Sequence, residues 1–462
     1  MLTATWIITF VVIIGIGIFA GKAITNANQW SGGDKSMSAW GVGAVLAAWQ
    51  IGGMSIVGAA QNGYTIGIAG AWYSLAGAVY ILVVAIFAKK LRESMPGDSV
   101  PNYLAKRYST KSSKLYSYIW VVLGFFYIPI QLKTIASIIQ IVLPGMNSNI
   151  AMIIGLTIAA IYTGFAGMKG ASVIGKIVCI GIYVFLVGFV VAKLPNFGGY
   201  SGLVTRLPEA FDSMANMPTQ QIIAWVVGGV LSSAVMQSVL QPVMAAKDAN
   251  AARNGCLIGY VVSAPICIIT AIIGMMGRAT TSDLGNGATA FAWTIREFNS
   301  PLVAGMVFAI ATMIIAATMA TMMMATGTIL TNIYKTQINP NAEDSKLLNI
   351  SRYGTIIFAF LSLIPAFIIP SASLITMFLT LMYVATGPVS FSIFAGLLWK
   401  RTTAAASFWS MLLGSATGVI WVLSGMRSKL DAIYPIIFVS YGVGIIITLL
   451  DKNTANSNAN QI

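Results

Sequence analysis

The chain has 462 residues, 57% of them hydrophobic and only 8% charged, and no histidine. With a mean hydropathy of +0.84, this is not the balance of a soluble globular domain but that of an all-α polytopic membrane protein. The net charge of +14 raises nucleic acid as a partner, yet the charges sit between apolar runs, which argues for membrane topology instead.

Thirteen spanning segments are predicted in chain order. The first covers about 3–21; it is too long for a signal h-region, has no basic residue before it and no clear cleavage site, and reads as a retained helix. Then come 40–68, 71–90, 114–143, 149–167, 171–193, 220–244, 254–277, 301–333, 350–370, 372–398, 403–424 and 432–450. The segment 279–300 between two of them is expected to hold a short helix at the outer mouth, and the polar tail after Lys452 to be disordered. Cys179, Cys256 and Cys267 lie in or beside apolar segments and suit packing better than a disulfide or a metal cluster.

An odd number of spans puts the termini on opposite sides. With the N-terminus outside, eighteen of the 26 Lys and Arg residues fall in inner loops and six in outer ones, while Lys133 and Lys176 lie within spans. This bias predicts an N-out, C-cytoplasmic orientation in a plasma (inner) membrane.

Two apolar stretches carry a Gly-Gly pair: Gly52-Gly53 in AVLAAWQIGGMSIVGAAQ and Gly228-Gly229 in IIAWVVGGVLSSAVMQ. In lipid every backbone polar group needs a partner, so a glycine-broken helix is tolerated where it lines a cavity. Breaks at matching places in two halves point to a transport site. The plainer reading is that the glycines let helices pack closely.

At this point the chain resembles the sodium/solute symporter family, with its LeuT-type five-plus-five inverted repeat, over about residues 1–450. The stretches that carry the likeness are LAAWQIGGMSIVGAAQNGYTIGIAG (46–70), DSVPNYLAKRY (98–108), YTGFAGMKGASVIG (162–175), PVMAAKDANAARNG (242–255), TGTILTNIYK (326–335) and GPVSFSIFAGLLWKR (387–401). The resemblance implies broken first and sixth core helices and secondary active import of a small polar solute by alternating access. It divides the chain into a leading helix and loop (1–39), a first repeat (40–194), an outer loop (195–219), an inverted second repeat (220–398), two further helices (399–452) and a tail (453–462).

The resemblance also implies a sodium site, at the carbonyls of Ala48, Ile51 and Ile314 and at the pair Ala317-Thr318. Thr318 keeps a hydroxyl; Ala317 has none. On the fifth core helix, where many members carry an aspartate, this chain has Ser172, and Lys176 follows one turn on. A charged residue deep in a bundle usually faces a cavity. One expectation is therefore that Lys176 replaces sodium and transport is proton-coupled or cation-independent. The alternatives are an ordinary sodium-coupled symporter, with Lys176 snorkelling toward headgroups.

Lys133, mid-helix in FFYIPIQLKTIASIIQ, has no acid at similar depth among the chain's 12 and suggests an anionic partner such as a substrate carboxylate, or else a watery vestibule. Depth and helix position add Gln50, Met54 and Ser55 beside the first break and Ser232, Ser233, Met236 and Gln237 after the second. Gln131, Tyr383 and Thr386 come from the helices that would close the site. A membrane enzyme would need a histidine cluster or paired acids at depth, which the sequence lacks; a transporter-like sensor that signals through a separate partner is the other alternative, weakened by a short inner tail without a signalling domain. No cofactor or resident metal is expected; the partners are the solute and the bilayer, and no protein partner is identified.

Overall fold

The computed structural model describes residues 1–22, 24–32, 34–95, 99–285, 287–368 and 374–451. The expected tail 453–462, Lys452, Asp98 and the start of the 372–398 segment lie outside them.

Helices follow the apolar runs and begin where the sequence supplies a cap. The first helix is α1 (Leu2–Gly21), then a short α2 (Ala27–Ser31). Ser38 caps α3 (Ala39–Gly53) by accepting the Gly41 amide. The chain continues through a π-helical turn (Met54–Gly58) into α4 (Ala59–Ile66), turns at Gly67 with φ of 75°, and runs on as α5 (Trp72–Gly77) and α6 (Val79–Ser94). Ser99 caps α7 (Val100–Arg107), with Pro101 in its first turn, and Ser109 caps α8 (Thr110–Val142). Next come α9 (Ser148–Ile182), α10 (Gly188–Lys193) and α11 (Gly199–Val204). Gly167, at φ 52° and ψ −162°, breaks α9 between the two spans that the sequence placed there.

The second half holds α12 (Thr219–Ser232) and α13 (Gln237–Met244), then α14 (Ala249–Ser263) capped by Asp248, α15 (Ile266–Thr280) and α16 (Ala290–Phe298). The 33-residue α17 (Pro301–Ile333) follows, then α18 (Asp344–Asn349), α19 (Thr355–Leu361) and α20 (Leu363–Ile368). The chain ends with α21 (Leu374–Thr386), α22 (Val389–Leu398), α23 (Ala404–Leu423) and α24 (Ile433–Leu450).

Among the described residues nine helical stretches are long and apolar enough to cross a membrane, or up to eleven if two bent pairs each count as one span. The arrangement is concentric. In the most apolar stretch of α17, 83% of residues are buried, against 22% in α1. Phe438, Leu423 and Ile86 are 82%, 81% and 76% exposed, as lipid-facing side chains must be. All three cysteines are free and buried. One end of the bundle carries Lys89, Arg92, Arg107 and Lys400 and is called the basic end below.

Candidate functional site

The first interruption lies at the Gly52-Gly53 pair. Gly52 has non-helical angles (φ 5°, ψ −168°), and the chain re-enters helix through the π-turn. Ser55 Oγ donates to the Gln50 carbonyl at 2.7 Å, and Thr270 Oγ1 donates to the Ser55 carbonyl at 2.7 Å. Side chains from the π-turn and α15 thus hold carbonyls that the interrupted helix leaves free. A β-carbon on Gly52 would lie 2.7 Å from Thr318 Oγ1, and one on Gly53 would meet Gln131 Oε1 at 2.8 Å and Thr134 Cγ2 at 2.6 Å.

Thr318 faces that interruption. Its Oγ1 lies 2.7 Å from the Ala48 carbonyl and 2.9 Å from the Ile314 carbonyl. One hydroxyl proton cannot fully satisfy both carbonyls, so three oxygens converge with spare lone pairs. Ile51 is fully buried beside them; Ala317 is buried too, and its carbonyl accepts from Thr321 Oγ1 at 2.9 Å. Gln131 donates through Nε2 to Tyr127 Oη at 2.9 Å, while its Oε1 is buried without a donor, against Gly53.

The second Gly-Gly pair is not where its helix bends. Gly228 and Gly229 sit within continuous α12, and the 54° bend comes later, at a 3₁₀ turn over Ser233–Val235 and an extended Met236 (φ −71°, ψ 141°). These glycines serve close packing. A β-carbon on Gly228 would strike the Tyr383 ring at 2.1 Å, and one on Gly229 would lie 3.1 Å from the Gly77 carbonyl. Tyr383 Oη donates to the Ala224 carbonyl at 3.2 Å, pinning α21 to α12. A 52° bend separates α21 from α22 at Gly387-Pro388, where proline cannot donate. Thr386, just before it, donates to the Met382 carbonyl at 2.9 Å.

Between these elements lies a small cavity of about 30 Å³, lined by Trp49 and Gln50 from α3, Tyr73 and Gly77 from α5, Trp225, Gly229 and Ser233 from the α12 region, and Phe378 and Leu379 from α21. Its aromatics interlock: Tyr73 meets Trp225 edge-on at 6.1 Å and Phe378 at 6.4 Å, and Trp49 stacks on Tyr127 at 5.4 Å. Of the residues expected from sequence, Gln50 and Ser233 line it. Met54, Ser55, Gln131, Ser232, Met236, Gln237, Tyr383 and Thr386 are buried but are not in its wall. Ser232 Oγ donates to the Gly228 carbonyl. The wall's four aromatics were missed in the sequence, although Trp49 and Trp225 stand within one turn of the glycine pairs.

Neither intramembrane lysine lines the cavity. Lys133 is half-buried and lies ~200° around α8 from Gln131. Lys176 is also half-buried and makes no hydrogen bond or ion pair among the described residues. Its helix turns Ser172, Gly175 and Cys179 toward Gly41 and Ala44 of α3, and Ile180 (58%) and Val184 (62%) toward lipid; Lys176 falls at ~40° on the helical wheel from Ser172, between the two stripes.

The two ends differ. At the basic end α13 is sealed by side chains. Gln237 accepts the Val100 amide at 2.7 Å, and Gln241 donates to the Ser31 carbonyl at 2.8 Å and to Thr328 Oγ1 at 3.0 Å. Arg107, 6% exposed, donates to the carbonyls of Gly396, Trp399, Lys400 and Thr402 at 3.1–3.4 Å, capping the end of α22. At the other end a polar pocket of about 460 Å³ opens, lined by Gln220, Gln221, Thr376, Arg427, Lys429 and Asp431 among others. One turn of α12 separates Gln221 of that pocket from Trp225 of the cavity, so the aromatic cluster stands between them as a lid. Burial raises the Asp431 carboxyl above its usual range against the opposing effects of the Ile433 amide and Arg427.

The model of the Sodium:solute symporter family matches residues 30–414. The chain is 26% identical to the Sodium/glucose cotransporter of Vibrio parahaemolyticus over 446 residues, covering 85% of this chain and 79% of that one. It is 24% identical to the uncharacterized symporter YodF of Bacillus subtilis (strain 168), covering 99% and 94%. A solved substrate-bound, outward-open structure of a Na+-coupled sialic acid symporter superposes with a TM-score of 0.79 at 16% identity, covering 98% of each chain; that likeness shows a shared LeuT-type fold.

Proposed function

The chain belongs to the sodium:solute symporter family, and from that premise we propose that it carries a small, uncharged polar solute across the membrane by alternating access, with sodium as the driving ion. The observation that carries the reading is one juxtaposition. A cavity walled by aromatic rings, the Gln50 amide and the Ser233 hydroxyl lies between the interrupted α3 and the bent α12, and α3 also brings Ala48 to Thr318. Rings stack on the apolar face of a sugar, polyol or similar solute while amide and hydroxyl orient it. The sequence suggested a carboxylate partner for Lys133, but no charged side chain lines the cavity, so a neutral solute fits better. At about 30 Å³ the cavity holds about one water, so the solute enters when the aromatic lid opens toward the polar pocket.

Thirteen spans and the five-plus-five division at 40–194 and 220–398 remain our reading. The helical stretches 39–94 and 148–197, of 56 and 50 residues and interrupted at Gly67 and Gly167, would reach ~75–84 Å if straight, more than twice a bilayer core, so each is taken as two crossings. Charge bias places the basic end inside.

For the ion, Thr318 gives its proton to the Ile314 carbonyl and turns a lone pair, with the Ala48 and Ile51 carbonyls, toward sodium. Similarity to the Vibrio cotransporter supports this over the lysine reading. The missing hydroxyl at Ala317 and the unpaired Lys176 favour the second reading, in which the ammonium takes the ion's place and protons drive transport. Uptake into liposomes of purified protein decides. Sodium-gradient stimulation that persists in Lys176→Gln supports the first reading; stimulation by a pH gradient alone, lost in Lys176→Gln, supports the second. A thermal-shift screen of sugars, polyols, amino acids and organic acids tests the solute: stabilisation by acids alone would overturn the neutral class.

A further inference from the structure

The cleft between α6 and α14 at the basic end has a volume of about 590 Å³ and combines two chemistries. Along α6, Leu82, Ala85 and Ile86 form a stripe that ends one turn on in Lys89; along α14, Arg253 begins a stripe that continues through Leu257 and Val261. The helices run in opposite directions, so both cations fall at the same end of the cleft and both apolar stripes extend away from it. Ile86 is 76% exposed and Val261 67%, and among the described residues no element covers this face. Lys89 and Arg253 are exposed and make no hydrogen bond or ion pair among the described residues.

Among the described residues no acid forms an ion pair with either cation. The Asp248 carboxylate is engaged as the cap of α14, accepting the Ala251 amide at 2.7 Å, and Glu93, one turn beyond Lys89, forms no ion pair with it. Arg92 is turned away, donating to the Ala246 carbonyl at 3.1 Å. Unmet positive charge at one end of a groove, with two apolar walls about 10–12 Å long, matches a phosphate headgroup followed by the upper part of an acyl chain.

We propose that the α6–α14 cleft is a binding site for an anionic phospholipid, with the phosphate between Lys89 and Arg253 and a chain lying along Ile86 and Leu257. The site is separate from the solute path, and the alternative occupants of such a face are zwitterionic lipid or a second copy of the chain.

The test is native mass spectrometry of the full-length protein after exchange into micelles with equal phosphatidylglycerol and phosphatidylethanolamine. Wild type is expected to retain phosphatidylglycerol preferentially, and the double variant Lys89→Gln/Arg253→Gln to lose roughly tenfold or more of that preference. The charge-preserving pair Lys89→Arg/Arg253→Lys is expected to keep it. Lys106→Gln/Lys111→Gln removes two exposed charges outside the cleft and controls for general basicity. The proposal is overturned if wild type shows no preference, if the cleft double variant keeps it, if the control pair loses as much, or if the cleft holds a second copy, seen as a dimer that the cleft variant disperses.

Discussion

A glycine is required where another backbone or ring comes too close for a β-carbon, and the chain contains both kinds of glycine. Gly53 has Thr134 Cγ2 and Gln131 Oε1 within 2.8 Å of that position, whereas Gly15 has nothing within 4 Å. Gly53→Val is therefore expected to cost about 1–3 kcal/mol by overpacking, read as a drop in thermal unfolding temperature in detergent. Gly15→Ala, on the lipid-facing α1, should be neutral or stabilise by up to about 1 kcal/mol. Thr318 is the residue on which the ion argument rests. Under the sodium reading Thr318→Ala should raise the sodium concentration for half-maximal uptake by roughly tenfold, one lost oxygen ligand costing about 1.5 kcal/mol, while Thr318→Ser stays near wild type. Unchanged sodium dependence in Thr318→Ala would remove Thr318 from the site. The resemblance supplied the candidate ion ligands; that Thr318 of α17 meets the Ala48 carbonyl of α3 required the packed helices. Lys176 shows the limit of spacing arguments. Helical periodicity put it near Ser172, but whether its amine reaches α3 or lipid depends on a rotation that only neighbouring helices fix.

Helical elements were legible from apolar runs; Ser38, Ser109 and Ser300 cap the helices that follow them, a start signal that the apolar runs did not supply. Bends were less so. The Gly52-Gly53 pair does mark an interruption, but Gly228-Gly229 lies in unbroken α12 because its small size is used against Tyr383 and Gly77, and the chain bends later where Met236 is extended. Glycine pairs thus have two uses that sequence alone does not separate. The seal on α13 depends on long amides, which a hydropathy reading treats as ordinary polar residues. Gln241→Leu removes the hydrogen bonds that tie α13 to the Ser31 carbonyl and to Thr328. It is expected to shift the population toward a state open at the basic end, so that a reporter introduced as Ser233→Cys reacts several-fold faster with a membrane-impermeant thiol reagent applied from that side. No acceleration would mean that the amide is not a latch. Arg107→Lys should lower the melting temperature, since a lysine cannot reach four carbonyls of one helix end with a planar fork.

Over the whole molecule, burial is graded from α17 at the centre to α1 at the lipid boundary, and the cavity proposed for the solute lies between a hydrogen-bonded seal and a cluster of aromatic rings proposed as a lid. The seal is made of directional bonds and the lid of ring contacts, so the polar-pocket side is expected to open first. Trp225→Ala should therefore weaken solute binding and make a reporter at Ser233→Cys more reactive from the polar-pocket side; faster labelling only from the basic end would reverse the assignment. Composition and apolar run length by themselves determined that this is a multi-pass all-α membrane protein, because in lipid each helix must satisfy its own backbone and so announces itself in sequence. The order of motifs carried the family and its fold. Only the tertiary structure decided which side chains share a cavity, where the second bend falls and what the lysines face, because these depend on helix rotation and close packing between segments up to hundreds of residues apart, and a one-dimensional pattern does not encode either.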